Sequence, residues 1–284
     1  MPRKIDFFIL HFINCFKIEF MRKKVGLALS GGAARGFAHL GVLKVLVENN
    51  IPIDMIAGTS AGSFAGGAFA SGLSVEQIAD IGRGSGWLKL GKFSFSAKGL
   101  LSNAPMGATI REKFPHTTFE DLPIPFAAVA CDLESGDEVI LKDKGDVAFA
   151  ICASCAIPGV FVPLADEQGR MLVDGGVVAP VPTKAVRKMG AEIVIVVDVI
   201  ADPTRFWGSP STLLGVFIQA GMIMLRTASK MQHYRADVVI APKLGHLRPD
   251  ELGKMDEFIK LGEEAALEKI DEIKALIESK NSEK

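Results

Sequence analysis

The stretch "IDMIAGTSAGSFAGG", residues 53–67, decides how this chain is read. A short apolar run reaches Gly58-Thr59-Ser60-Ala61-Gly62, and small and apolar residues at helical spacing follow. The period switches from strand to helix within five residues, so the chain turns sharply there. A serine on such a turn has its Oγ lifted to the carboxyl edge of a sheet. Its neighbours have to be small because backbone segments crowd together. The expected elements are a strand over 51–57, an elbow over 58–62 carrying Gly58, Ala61 and Gly62, and a helix over 63–70. A serine hydroxyl at its ordinary pKa is a poor nucleophile. Ser60 therefore needs a base beside it and N–H donors facing the oxyanion it would create.

Upstream, residues 25–29 read as an apolar strand running into "SGGAARG", 30–36, which opens a helical pattern ending at Asn49-Asn50. A glycine-rich loop at a helix start presents backbone N–H groups. Gly31, Gly32, Ala33, Ala34, Arg35 and Gly36 are the candidate oxyanion hole, with Arg35 either adding positive charge or ordering the loop. The competing reading is a nucleotide or small-ligand binding module. Against a dinucleotide site, alanine stands at the middle glycine and no acid closes the second strand. Against a P-loop, no Gly-Lys-Ser/Thr follows.

No histidine is placed as a triad would place it. His11 lies in the N-terminal extension, His39 sits on the helix after the glycine loop as a packing residue, and nothing marks His116, His233 or His246. A carboxylate is better placed. "RMLVDGG", 170–176, is an apolar strand that leaves Asp174 at its end before two glycines. Asp-Gly is also a common turn former, and both readings stand on the residues alone.

Elsewhere Ser74 caps "VEQIADIGR", with Glu76 and Gln77 in its first turn. Residues 82–108, rich in Gly, Ser and Lys with interspersed aromatics, read as either a cap over a site or a surface connection. Two strands flank the turn at 134–136, a hairpin turns near 167–169, "EIVIVVDVI" is a central strand of a mostly parallel sheet, and "ADVVIAP" is the last strand. Residues 213–225 are strongly apolar and read as a buried helix, with a lipid-contacting surface as the sharper alternative. The C-terminus carries Met255, Ile259, Ala266, Ile270, Ile273 and Ile277 on one face of an amphipathic docking helix.

Composition sets the bounds. The chain has 284 residues and a net charge of −1, and 49% of it is hydrophobic. Its mean hydropathy of +0.29 is high for a chain of this kind and points to a greasy pocket or a membrane-facing surface. Nothing recommends nucleic acid as a partner. Cys15, Cys131, Cys152 and Cys155 are too few and too scattered for a disulfide scaffold, and Cys152 and Cys155 read as packing residues. Residues 1–24 carry six Lys/Arg against two acids around an apolar run too short to span a bilayer. They read as an extension, either dispensable or mis-assigned with Met21 as a natural start, or an interfacial anchor, or a cleaved signal. The domain proper is expected over 25–284.

The segments "GLALSGGAARGFAHLGVL" (26–43), "IAGTSAGS" (56–63), "ASCAIPGVFVP" (153–163) and "LVDGG" (172–176) together resemble the patatin-like phospholipases, specifically the compact bacterial type. The resemblance covers nearly everything beyond the extension. It implies a three-layer α/β/α fold around a mainly parallel sheet. It implies a Ser-Asp dyad, with Ser60 as nucleophile and Asp174 as general base, and an oxyanion hole from 31–36 with the backbone of Ala61 as a further donor. No cofactor or metal is implied. The implied activity is hydrolysis of carboxylic esters of lipids, phospholipid or lysophospholipid, by a cytoplasmic protein in peripheral contact with a membrane. Two positions depart from the family pattern. Cys155 stands near a usual serine, and Ala33 stands where glycine is common, which keeps its N–H directed provided its φ is negative.

Overall fold

The protein is seen in a computed structural model, which describes residues 22–83, 91–94, 96–202 and 210–281. The strands are β1 Val25–Leu29, β2 Met55–Thr59, β3 Lys92–Phe93, β4 Gly99–Ser102, β5 Phe126–Asp132, β6 Glu138–Lys142, β7 Gly159–Phe161, β8 Leu164–Ala165, β9 Met171–Asp174, β10 Ile193–Val197 and β11 Val238–Ile240. The helices are α1 Ala38–Glu48, α2 Ala61–Ala70, α3 Val75–Arg83, α4 Ala104–Lys113, α5 Val147–Ser154, α6 Thr183–Lys188, α7 Leu213–Gln232, α8 Met255–Leu267 and α9 Ile270–Asn281.

The apolar runs of β1, β2, β5 and β10 are buried along their whole length, as strands covered on both faces must be. They form the parallel sector β11-β10-β1-β2-β5, and β9 and β8 extend it antiparallel. Alternation assigns the faces. Leu27, Leu29, Ile56, Phe126, Ile193 and Ile195 join the larger core cluster with α1, α2, α5 and α8. The opposite set is smaller: Ala28, Ala57, Ala127 and Val129 pack on Ala185 and Val186 of α6. The result is a three-layer α/β/α sandwich with one thick and one thin helical layer.

Register explains where a site can form. Thr59, at the end of β2, pairs with Val129, while β9 runs the other way and ends with Asp174 opposite Ala130. β6 occupies the other edge of β5 across both positions. β2 and β9 therefore meet head to head on one edge of β5, and the residues ending them fall side by side.

Several boundaries differ from the sequence reading. β2 begins at Met55, because Pro52 has no N–H and the Asp54 carboxylate accepts from Val25 N–H (2.7 Å) while pairing with Arg22. α2 begins at Ala61, two residues early, since the Ser60 carbonyl already accepts from the N–H groups of Ser63 (2.8 Å) and Phe64 (3.1 Å). Ser74 does cap α3, in a reciprocal box: Gln77 N–H donates to its Oγ, and Gln77 Oε1 accepts from Ser74 N–H. The C-terminal pattern is two helices, α8 and α9. Met255, Ala266, Ile270 and Ile273 are buried, and Ile259 and Ile277 pack against the core at its margin. α8 lies on α1, tied by Lys44 to Glu263 at 2.8 Å.

α7 is longer than expected and is not buried. Val216, Phe217, Ile223, Met224 and Met231 face outward. Within 82–108, residues 84–90 and Phe95 lie outside the described residues. Of the rest, β3 and β4 join β7 in a small second sheet, and residues 104–108 begin α4. The expectations for residues 1–21 also fall outside the described residues.

Candidate active site

Ser60 stands between β2 and α2 with φ 52° and ψ −122°, a left-handed conformation rare for a residue with a Cβ. Such strain persists only where the surroundings over-determine it. Here the Ser60 N–H donates to Ser154 Oγ (2.8 Å), and Ser154 Oγ–H donates to the Val129 carbonyl (2.6 Å). The Ser60 carbonyl is held by Ser63 N–H and Oγ–H. The neighbours are small for the expected reason. A Cβ on Gly58 would lie 2.4 Å from the Gly62 carbonyl oxygen, and one on Gly62 would lie 2.3 Å from that of Leu29.

Asp174 reaches the same place from β9. Its N–H donates to the Ala156 carbonyl (2.9 Å), and its Oδ1 accepts from Gly176 N–H (2.7 Å). Ser60 and Asp174 are 8% and 7% exposed, at the floor of the site. Burial pushes the Asp174 carboxyl up to about 6, and the nearby Ser60 hydroxyl and the hydrogen bond from Gly176 N–H pull against that rise.

The loop after Asp174 ties the parts together. Pro180 C=O accepts from Gly31 N–H (3.0 Å), and Ala179 C=O accepts from Thr59 Oγ–H (2.8 Å). This settles which loop amides are spoken for. Gly31 donates to Pro180, Ala34 to Pro249 (2.9 Å), and Arg35 to Gly32 (3.1 Å). Gly36 serves by close approach, since a Cβ there would sit 2.5 Å from Ala61 Cβ. The N–H groups of Gly32 and Ala33 find no acceptor among the described residues, nor does that of Ala61 at the N-terminus of α2. Of the six loop residues put forward, only Gly32 and Ala33 are thus identified with N–H groups that find no acceptor among the described residues.

Ala33 has φ 50°, so the condition set for it fails, and a non-glycine residue holds a left-handed position. Arg35 is also decided. Its guanidinium is buried and donates to the carbonyls of Leu247 (2.8 and 3.2 Å), Leu244 (2.9 Å) and Asp202 (3.2 Å), and burial lowers its pKa to about 10. It orders the loop and does not face the site. With most loop amides engaged, this loop is not a phosphate cradle. His39 is packed, as expected. It is fully buried, its Nε2 bonds the Ser30 carbonyl (2.8 Å), and burial lowers its pKa to about 4.

A cavity of about 130 Å³ opens from Ser60 and Ala33. That is several times the roughly 30 Å³ a liquid water occupies. Phe37, Leu40, Phe64, Ile78, Met106 and Phe161 are among its walls, and among the described residues no charged one lines it. Such walls suit an apolar chain.

Sequence reasoning missed the block at 154–156 as machinery. Ser154 holds the nucleophile's backbone, Ala156 holds Asp174, and Cys155 packs between them near Ser63. The signal was its place in order between the two motifs.

A serine on a strained strand-to-helix turn, a buried carboxylate and a glycine loop thus sit on one edge of a three-layer α/β/α sheet. The family model described as patatin-like phospholipase matches residues 27–187, and the chain belongs to that family. An NTE family protein of Mycobacterium bovis is 38% identical over 178 residues, 62% of this chain and 49% of that protein. A patatin-like phospholipase domain-containing protein of Caenorhabditis elegans is 36% identical over 203 residues, 68% of this chain and 15% of that protein. Human patatin-like phospholipase domain-containing protein 6 is 32% identical, over 62% of this chain and 13% of that protein. The chain thus spans half or less of these relatives. In fold it is similar to VipD from Legionella pneumophila, with a TM-score of 0.59 and 14% identity over 88% of this chain and 67% of that one.

Proposed function

We propose that the protein is a serine acyl hydrolase that cleaves carboxylic esters of lipids, phospholipid or lysophospholipid, through a Ser60–Asp174 dyad. The supporting observation is that Ser60 and Ala61 line an apolar cavity while the buried Asp174 ends the strand that meets β2 head to head on β5. The acyl chain lies along Phe37, Phe64 and Phe161, which brings the ester carbonyl over Ser60 Oγ. Asp174 takes the hydroxyl proton as Oγ attacks the carbonyl carbon. The oxyanion is received by the N–H groups of Gly32 and Ala61, aided by the positive end of α2. Collapse of the tetrahedral intermediate breaks the ester C–O bond, and the proton held by Asp174 leaves with the alcohol. Water, deprotonated by Asp174, then releases the fatty acid and regenerates Ser60. A carboxyl raised to about 6 is a stronger base than an exposed aspartate and still ionised at neutral pH.

The test is labelling with a fluorophosphonate, followed by peptide mapping, and turnover of a p-nitrophenyl ester. Label on Ser60 and loss of turnover in Ser60→Ala are the expected results. Label elsewhere, or turnover in Ser60→Ala equal to that of the parent, refutes the proposal. A lipid panel read by mass spectrometry then assigns the head group.

A further inference from the structure

α7 divides into two faces. Leu225, Ser229 and Gln232 point inward. Leu225 lies against Gly176, so that a Cβ on Gly176 would be 3.1 Å from its Cδ1. Ser229 Oγ–H donates to the buried Asp198 carboxylate, which also bonds His233 Nε2 at 2.7 Å. Gln232 accepts from Val181 N–H (2.7 Å) and donates to Val178 C=O (3.3 Å). These contacts hold α7 on the loop that follows Asp174.

The outward face is apolar. Val216, Phe217, Ile223, Met224 and Met231 are separated by steps of seven and eight residues, which places them on one stripe of a 3.6-residue helix. Phe217 is 68% and Met224 72% exposed. Contiguous apolar surface of this kind marks an interaction face. Along the helix the charge is one-sided. Acids make up 33 of the 284 residues, so about three would be expected over 210–236, yet none occurs there, against the cations Arg226, Lys230 and Arg235. At the end of the stripe Tyr234 is exposed, with the Arg235 guanidinium 5.6 Å over its ring, and both line a groove with Lys184, Arg187, Lys188 and Asp237, where Asp237 pairs with Arg187 and Lys184 with Glu138. Among the described residues no helix is long and apolar enough to cross a membrane.

We infer that α7 is the surface by which this protein docks on an anionic lipid bilayer, lying in the plane of the interface. The apolar stripe enters the headgroup boundary, and the cations meet anionic headgroups. The inference rests on the lipid hydrolase reading for its consequence: docking through α7 holds at the lipid surface the helix that packs on the Asp174 loop.

The full chain is tested by co-sedimentation with vesicles of phosphatidylcholine, with and without phosphatidylglycerol, beside turnover of a short soluble ester. The comparison is the double variant Phe217→Ser, Met224→Ser. The parent binds the anionic vesicles and binds them less in high salt. The double variant binds about 100-fold less, the loss expected from two large apolar side chains that no longer enter the interface. Its soluble-ester turnover equals that of the parent, which shows an intact fold. Equal vesicle binding by the two proteins overturns the inference. So does a parent that is dimeric in buffer with a monomeric double variant, which would assign the stripe to a second copy. Binding that vanishes on removal of residues 1–20 alone also overturns it. Binding that follows the stripe in a protein without ester turnover supports the docking surface and refutes the catalytic reading instead.

Discussion

Replacing Asp174 with asparagine separates catalysis from stability in a way the burial of this carboxylate makes quantitative. Folding raises its pKa from 3.8 to about 6. The folded state therefore binds the proton more tightly than the unfolded chain, and stability falls as pH rises through the window between those values. A rise of that size corresponds to about 3 kcal/mol of lost stability at pH 8, all of it recovered below pH 4. Asparagine keeps the shape and can accept from Gly176 N–H but does not titrate. Asp174→Asn should thus be more stable than the parent by about 3 kcal/mol at pH 8, with the difference shrinking to near zero at pH 4. Turnover should fall by about 10²- to 10⁴-fold, the usual cost of losing a general base. The parent's own rate should rise tenfold per pH step below about 6 and level off above it. Parallel thermal melts of the two proteins from pH 4 to pH 8, with ester turnover at each pH, make the measurement. A stability difference that does not change between pH 4 and pH 8 refutes the reasoning, whatever happens to turnover.

Other perturbations follow from the same geometry. Ala33→Gly relieves a left-handed alanine and should stabilise the protein by about 1 kcal/mol with turnover retained, checked by thermal melts and the same ester assay. Gly62→Ala places a Cβ 2.3 Å from the Leu29 carbonyl oxygen, so the elbow must shift; turnover should drop at least tenfold and the melting temperature should fall. Arg35→Met leaves the Leu247 carbonyl without its donor, while that of Leu244 keeps Leu247 N–H, at a cost of about 1–3 kcal/mol for the buried group left unsatisfied, read by chemical denaturation.

Much of the site was legible because its chemistry is local. Strand, turn and helix around Ser60 follow from residue size and period within fifteen residues, and Asp174 is marked by the strand it ends and the glycines behind it. The allocation of loop amides was not legible. Whether the N–H of Gly31 or of Gly32 is unpaired depends on Pro180, about 150 residues away. The same holds for Arg35, whose direction is set by carbonyls beyond residue 240.

The sequence by itself determined most of the elements and the apolar strands of a mostly parallel sheet, and its family resemblance put forward the two residues on which the proposed chemistry turns. Its patterns are periods of two and 3.6, and those are written in neighbouring residues. Only the tertiary structure decided that β2 and β9 end side by side on one edge of β5, that one helix read as buried turns its apolar stripe outward, and that the C-terminal pattern breaks into two helices. Those outcomes rest on register and on which surfaces find partners. Both are settled by contacts between residues far apart in the chain.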